Sequence, residues 1–258
     1  MLDVRVPGYS HCPGWHFASW VPVEQRRELL RAYEREAVRW LGAGCVGVAY
    51  RGVRARELAL VARRGAVSQS ADASGVMPMV WSSVDEWMGS LSKSRRTDLR
   101  RQGRIVALSD VRVEFGPGRR DLDAGEVASL HHAHVERLRA RLDPRAPLPA
   151  DYFATLFAHE DVFALSYRDP AGRLLAFGAL LDHPVAPRIG TWAALRPEQG
   201  GRKHLYFDHY VRLIRHVIEA GGRRELSAAQ ANFEVKRSLG FHRSPMHRVA
   251  VPRWRTGR

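Results

Sequence analysis

The alternation of apolar and polar positions is most regular in the C-terminal third of the chain. Arg188 to Leu195 is a short apolar run with β-branched and aromatic members, as in a half-buried strand. Pro197 and the Gly200-Gly201 pair then break the pattern and leave Arg196, Arg202 and Lys203 around a turn. From Leu205 to about Ala220, Tyr206, Tyr210, Leu213, Ile214, Val217 and Ile218 form a helical stripe that Gly221-Gly222 ends. A strand from Arg224 to Ala229 and a short helix between Asn232 and Phe241 follow.

The earlier chain reads in the same way. Tyr9, Trp15, Phe17 and Trp20 lie among prolines and glycines, in a loop that packs by its aromatics. Pro22 to Leu41 predicts a helix with Leu29, Leu30, Tyr33, Ala37, Trp40 and Leu41 as its apolar stripe, stopped by Gly42 and Gly44. Cys45 to Tyr50 and Leu58 to Ala62 predict short strands, and the small, polar stretch Ser68 to Gly75 predicts a linker. Ser83-Val-Asp-Glu86 is a capping box opening one helix to about Gln102, with Val84, Trp87, Met88, Leu91 and Leu99 on its apolar face. Val111 to Phe115 alternates like a strand, Leu122 to about Leu142 is a helix, and Pro144, Pro147 and Pro149 form a stiff break. Tyr152 to His159 is a short helix, and Val162 to Tyr167 with Leu174 to Leu181 makes a hairpin turned at Asp169-Pro-Ala-Gly172.

A chain of 258 residues buries a sizeable core and accommodates one large or two small domains. No stretch approaches the roughly 20 apolar residues of a membrane span, and the start has no signal-peptide core, so a cytoplasmic protein is expected. Cys12 and Cys45 have no metal-ligand spacing and are expected as buried, inert thiols. His131, His132 and His134 lack the spacing of a helical metal site and are expected as surface or capping residues. The net charge of +14 favours polyanionic partners, although the Arg-, Ala- and Gly-rich composition is also what GC-rich coding produces. Charge concentrates at Lys93, Arg95, Arg96, Arg100, Arg101 and Arg104, where mutual repulsion is relieved by solvent or by a bound phosphate. A glycine loop opening a helix, as at Gly200-Gly201, also gathers backbone N–H groups where an anion can sit.

Four local features resemble the GNAT superfamily of acyltransferases, and within it the Fem-like branch of peptidoglycan-biosynthesis-type and aminoacyl-tRNA-dependent transferases. They are the helix from Val84 to Arg104 with its Ser90-Leu-Ser-Lys-Ser-Arg-Arg96 run, the hairpin Ala171 to Ala179, the helix start Leu205-Tyr-Phe-Asp208, and Gln230 with Lys236 and Gly240-Phe241. The resemblance covers roughly residues 81 to 251 and implies an α/β (α+β) fold, a GNAT-like, mixed, mainly antiparallel sheet flanked by helices. It divides the chain into a partial N-terminal GNAT-like half (1–75) and the transferase domain (76–258).

The resemblance implies amide-bond formation by transfer of an aminoacyl group from aminoacyl-tRNA to an amine of a small molecule or peptide, with no bound cofactor or metal. Lys236, Asp208 and Gln230 are then the catalytic candidates: Lys236 beside the oxyanion or the tRNA 3′ phosphate, Asp208 on the acceptor amine, Gln230 on the acyl carbonyl. Arg95, Arg96, Arg100, Arg101, Arg196, Gly200, Gly201, Arg202 and Lys203 are the donor-binding candidates. The loop Arg196 to His204 does not spell the acyl-CoA pyrophosphate signature, and Phe233 stands near where many acetyltransferases carry a tyrosine acid. Acyl-CoA as donor, a nucleic-acid-binding module without catalysis and an inactive scaffold remain as alternatives.

Overall fold

Leu174-Leu-Ala-Phe-Gly-Ala-Leu-Leu181 holds no polar side chain, and such a run suits a strand covered on both faces. In the computed structural model it is that strand, buried along all but its last residue. The structure describes residues 1–6, 9, 12–18, 20–138, 147–229 and 231–257, with backbone alone at 72 and 138. The elements run β1 (Leu2–Val4), α1 (Val23–Leu41), β2 (Gly47–Arg54), a 3₁₀ turn (Ala55–Glu57), α2 (Leu58–Val61), β3 (Val67–Pro78), α3 (Val84–Ser90), α4 (Lys93–Ala107) and β4 (Arg112–Pro117). They continue α5 (Ala124–Leu138), α6 (Ala150–Ala158), β5 (Val162–Arg168), β6 (Leu174–Leu181), β7 (Arg188–Ala194), a 3₁₀ turn (Pro197–Gln199), α7 (Leu205–Ala220), β8 (Glu225–Ala228), α8 (Phe233–Arg237) and β9 (His242–Pro252). None of the described helices is long and apolar enough to cross a membrane.

The chain divides into two units. The first comprises Met1–Gly75, Ala229–Phe233 and Arg243–Arg258, and the second Val76–Ala228 and Glu234–His242. The C-terminal strand thus groups with the N-terminal residues, although it follows the second unit in sequence. In the first unit the strand order is β1-β2-β9-β3, with β1 parallel to β2 and β9 antiparallel to it. Its core joins Leu30 and Val38 of α1 to Val48, Tyr50, Val53, Val249 and Val251. Glu34 is fully buried and accepts from the Tyr50 hydroxyl (2.8 Å) and the Gly257 amide (2.8 Å), with Arg63 as its ionic partner. This tie turns Leu30, Glu34 and Val38 inward and leaves Leu29, Tyr33 and Trp40, expected in the buried stripe, exposed to solvent.

Three further sequence expectations fail for identifiable reasons. Leu58 to Ala62 is not a strand, because the 3₁₀ turn before it feeds directly into helical hydrogen bonding and the four-residue apolar run of α2 is too short to show a period. Ser68 to Gly75 is not a linker but most of β3, which lies beside β9, so tertiary pairing overrides its weak strand propensity. The helix expected from Ser83 to Gln102 is two helices: Ser92 accepts from the Arg95 amide (3.2 Å) and starts α4 afresh. The capping box is half-formed, since Ser83 Oγ accepts from the Glu86 amide whereas the Glu86 carboxylate takes the amide and hydroxyl of Ser82. The predicted helix residues 139–142 and Pro144 lie outside the described residues, as do Pro7, Gly8 and Gln230.

The second unit carries the order β8-β7-β6-β5-β4, in which β4 to β7 are successively antiparallel and β8 is parallel to β7. This is the mixed, mainly antiparallel sheet that the resemblance implies. Phe153, Phe157, Val127 and Leu130 of α5 and α6 pack with Phe177, Ala179 and Ala193 in one core cluster. Leu213, Ile214 and Val217 of α7 pack with Trp87, Met88, Leu180, Ile189, Leu226 and Phe241 in another. Two irregularities of β7 matter for the site. Gly178 pairs with Trp192 and Leu180 with Ile189, so Gly190 and Thr191 of β7 oppose the single residue Ala179 in a bulge. The parallel pairing of β7 with β8 stops at Ile189 and Ala228, beyond which β7 continues to Ala194.

Candidate active site

α8 places Lys236 inside the second unit, with 2% of the residue exposed. Its carbonyl accepts from the Leu239 amide (2.9 Å) and the Phe241 amide (3.1 Å). That return is made possible by Gly240 at φ +101°, a region that side chains beyond glycine rarely enter, and it delivers Phe241 to the core at 1% exposure. The Gly240-Phe241 pair four residues after Lys236 therefore ends α8 through the backbone carbonyl of residue 236. Burial pushes the Lys236 ammonium from an ordinary 10.5 down to about 8. The surface-lysine alternative for this position is excluded by its burial.

Asp208 occupies the first turn of α7 and is 8% exposed. Its Oδ2 accepts from the Tyr167 hydroxyl (2.8 Å) and from Arg212 Nε (2.6 Å), one turn along the helix. Tyr167 on β5 is driven well above its ordinary pKa, first by burial and then by the Asp208 charge. Asp208, Arg212 and His216 follow one another at four-residue intervals and line a cavity of ≈ 550 Å³ with Arg100 of α4, Phe115 of β4 and Met88 of α3. His216 Nε2 lies 3.2 Å from Asp182 Oδ2, and Arg223 Nη2 donates to both oxygens of the same carboxylate at 3.0 Å. The lining of this cavity combines apolar side chains with both signs of charge. Both of the Tyr167 and Arg212 bonds fall on Asp208 Oδ2.

The next helical residue, His209, is fully buried, and burial alone pushes its imidazole down to about 3. It stacks on Trp192 at 4.6 Å and lies so close to Gly178 that a Cβ there would fall 2.3 Å from His209 Nε2. This ring packs over Gly178 of β6 and Trp192 of β7 beside the bulge, where it fixes α7 against the sheet. Thr191 in the bulge is 7% exposed, and its Oγ1 has no hydrogen-bond partner among the described residues.

The donor-binding candidates separate. Arg100 lines the larger cavity, and Arg101 is exposed beside Asp98. Arg96 Nη1 donates to the carbonyls of Met88, Gly89 and Leu91 (3.0–3.3 Å), so it ties off the end of α3. Arg95 stacks over the Phe207 ring at 5.1 Å. In the loop before α7, the Gly200 amide donates to Pro197 O and the Gly201 amide to Arg196 O. A Cβ on Gly201 would fall 2.2 Å from Leu195 O, so the glycines serve the turn, and their amides do not form the expected anion cradle. Arg196 and Lys203 remain exposed, and Arg202 is paired with Asp110 at 3.1 Å. The helical histidines have local roles: His132 pairs with Glu136, His131 packs on Phe153, and His134 is pushed down to about 4, first by burial.

Solved structures share this fold. The chain superposes on the C-terminal domain of a putative lysylphosphatidylglycerol synthetase from Agrobacterium fabrum with TM-score 0.61 at 14% identity, covering 86% of this chain and 72% of that one. It is similar to L-PGS from Bacillus licheniformis (TM-score 0.58, 10% identity, 86% and 71% covered) and to FemX (0.56, 11%, 88% and 78%). The fold is GNAT-like. No family model and no curated protein matches the sequence. Within this GNAT-like sheet, Tyr167, Arg212 and His209 are the residues around Asp208 that sequence reading does not single out. The Asp208–Arg212 spacing of four is a legible helical pair, whereas Tyr167 lies 41 positions away and is brought in by the strand order alone.

Proposed function

We propose that the chain is an aminoacyl transferase that forms an amide between an aminoacyl group, delivered on tRNA, and an amine of a small molecule or peptide. The observation that carries this reading is Lys236: a buried ammonium of lowered pKa on the short helix after β8, in a fold similar to that of FemX and L-PGS. A cation held out of water interacts more strongly with charge that develops near it than a solvated one does. In the transfer, the amine nitrogen bonds to the ester carbonyl carbon, the carbonyl oxygen becomes anionic, and the bond to the donor's 3′ oxygen breaks, that oxygen leaving with a proton. Lys236 is assigned to the oxyanion, Asp208 to the acceptor amine and Gln230 to the acyl carbonyl. Arg100, Arg196 and Lys203 supply exposed positive charge for the donor.

The test is to incubate the full chain with charged tRNA and, separately, with acyl-CoA, each with a panel of amines, and to follow deacylation of each donor. Amine-dependent consumption of charged tRNA supports the reading. Consumption of acyl-CoA alone makes the protein an acyl-CoA-dependent N-acyltransferase, and consumption of neither removes the catalytic reading.

A further inference from the structure

The start of α4 and the end of α8 enclose a second cavity of ≈ 330 Å³, lined by Ser92, Ser94, Arg95 and Asp98 from one side and by Arg237, Ser238 and Gly240 from the other. We propose that this cavity is a phosphate subsite, holding one phosphate of the donor next to the helix that bears Lys236. The subsite deepens the transfer reading above, resting on it for the identity of the phosphate's bearer.

Its chemistry follows from which donors are already used. Ser238 Oγ donates to Val235 O (2.6 Å), which takes that hydroxyl proton out of play. Ser92 Oγ instead accepts from the Arg95 amide, so its own hydroxyl proton points away from that bond, and Ser94 is exposed beside it. Arg95 is held over the Phe207 face at 5.1 Å. An arginine guanidinium can bind phosphate oxygens in pairs through its N–H groups, and among the described residues no carboxylate accepts from those of Arg95. Arg237 is an exposed residue whose ion pair with Glu234, 2.6 Å long, is solvent-facing and readily exchanged for a stronger anion. Asp98, the acid of the lining, lies 3.8 Å from Arg101. The 15-residue helix α4 adds the positive end of its dipole at the same place.

Arg237 follows Lys236 directly in the chain, so a phosphate held there is anchored to the element that carries the proposed oxyanion cation. This assigns the basic run at the start of α4 more narrowly than the sequence does. Arg95 faces this cavity with Arg237, Arg96 is committed to α3, and Arg100 lines the other cavity.

Phosphates of this kind come from the 3′ end of an RNA or from the pyrophosphate of coenzyme A, and the experiment separates them. Binding of a fluorescent RNA hairpin with a 3′ CCA end, and of coenzyme A by calorimetry, is measured for wild type, Arg95→Gln/Arg237→Gln and a charge-matched control, Arg120→Gln/Arg173→Gln. The expected result is at least about a tenfold loss of RNA affinity in the first double variant and little in the control. The log–log salt slope should become shallower by roughly 1.4, at about 0.7 for each contact to a single strand. Arg95→Lys/Arg237→Lys, which keeps charge and fold while removing paired donors, should restore the slope but only part of the affinity. A loss confined to coenzyme A keeps the phosphate subsite and overturns the tRNA reading. Equal losses in the control and cavity variants, or no loss for either ligand, overturn the subsite.

Discussion

Asp208 and Lys236 are both charged side chains buried in the second unit, at 8% and 2% exposure, but their surroundings treat the charge differently. Around Asp208, Tyr167 and Arg212 place two donors on one carboxylate oxygen, so the ionised form is compensated where it stands. Around Lys236, loss of solvent is the dominant influence, and the ammonium gives up its proton more easily. A cation held out of water gains more than a solvated one when an opposite charge develops beside it. Under the proposed reading Lys236 is the reacting group, while the two bonds on Asp208 Oδ2 tie α7 to β5.

The sharpest test of that contrast is kinetic. Lys236→Ala should lower turnover by about 10²–10³-fold from the proposed donor, the effect of losing one group that meets a developing oxyanion. Lys236→Arg should retain donor binding better than rate. In wild type kcat/KM should fall as pH rises through about 8, where the ammonium is lost, and the variant should lack that limb. A Lys236→Ala protein that transfers at the wild-type rate would reverse the assignment of the two residues.

Gly178→Ala tests the contact of the His209 ring with β6. The added methyl would fall 2.3 Å from the buried His209 ring, so a loss of about 1–3 kcal/mol is expected in chemical denaturation. Unchanged stability would show that the ring is free to move. Tyr167→Phe removes one of the two donors to Asp208, and a cost of about 1–3 kcal/mol with transfer largely retained would mark the cluster as structural. A rate loss as large as that of Lys236→Ala would instead make Asp208 and its partners part of the chemistry.

The pH dependence of stability distinguishes the two charges further. The unfolded chain holds more protons on residue 236 than the folded one between about 8 and 10.5, so the unfolding free energy of wild type should rise with pH across that window. Lys236→Met should flatten this rise and be the more stable protein near neutrality. The smallest effect is expected at Gly89 of α3, where a Cβ meets nothing within 4 Å: Gly89→Ala should stabilise by about 0.5–1 kcal/mol.

Periodicity along the chain located α5, α6, α7 and strands β5 to β8 to within a few residues, and it found the span of α1 while misreading which of its faces is buried. It failed at β3 and α2. The small polar residues of β3 are extended by the strand beside them, and the four residues of α2 are too few to carry a period.

The sequence by itself determined the mixed α/β character, the basic start of α4, and the Lys236 to Gly240-Phe241 spacing, whose reason is local: a left-handed glycine turns the chain back onto the lysine carbonyl. Tertiary structure decided what those charges do. Only packing could remove Lys236 from water, bring Tyr167 to Asp208, spend Arg96 on the end of α3 and close the Gly200-Gly201 amides into their own turn. Burial and hydrogen-bond partners are relations between segments far apart in the chain, and no local pattern encodes them.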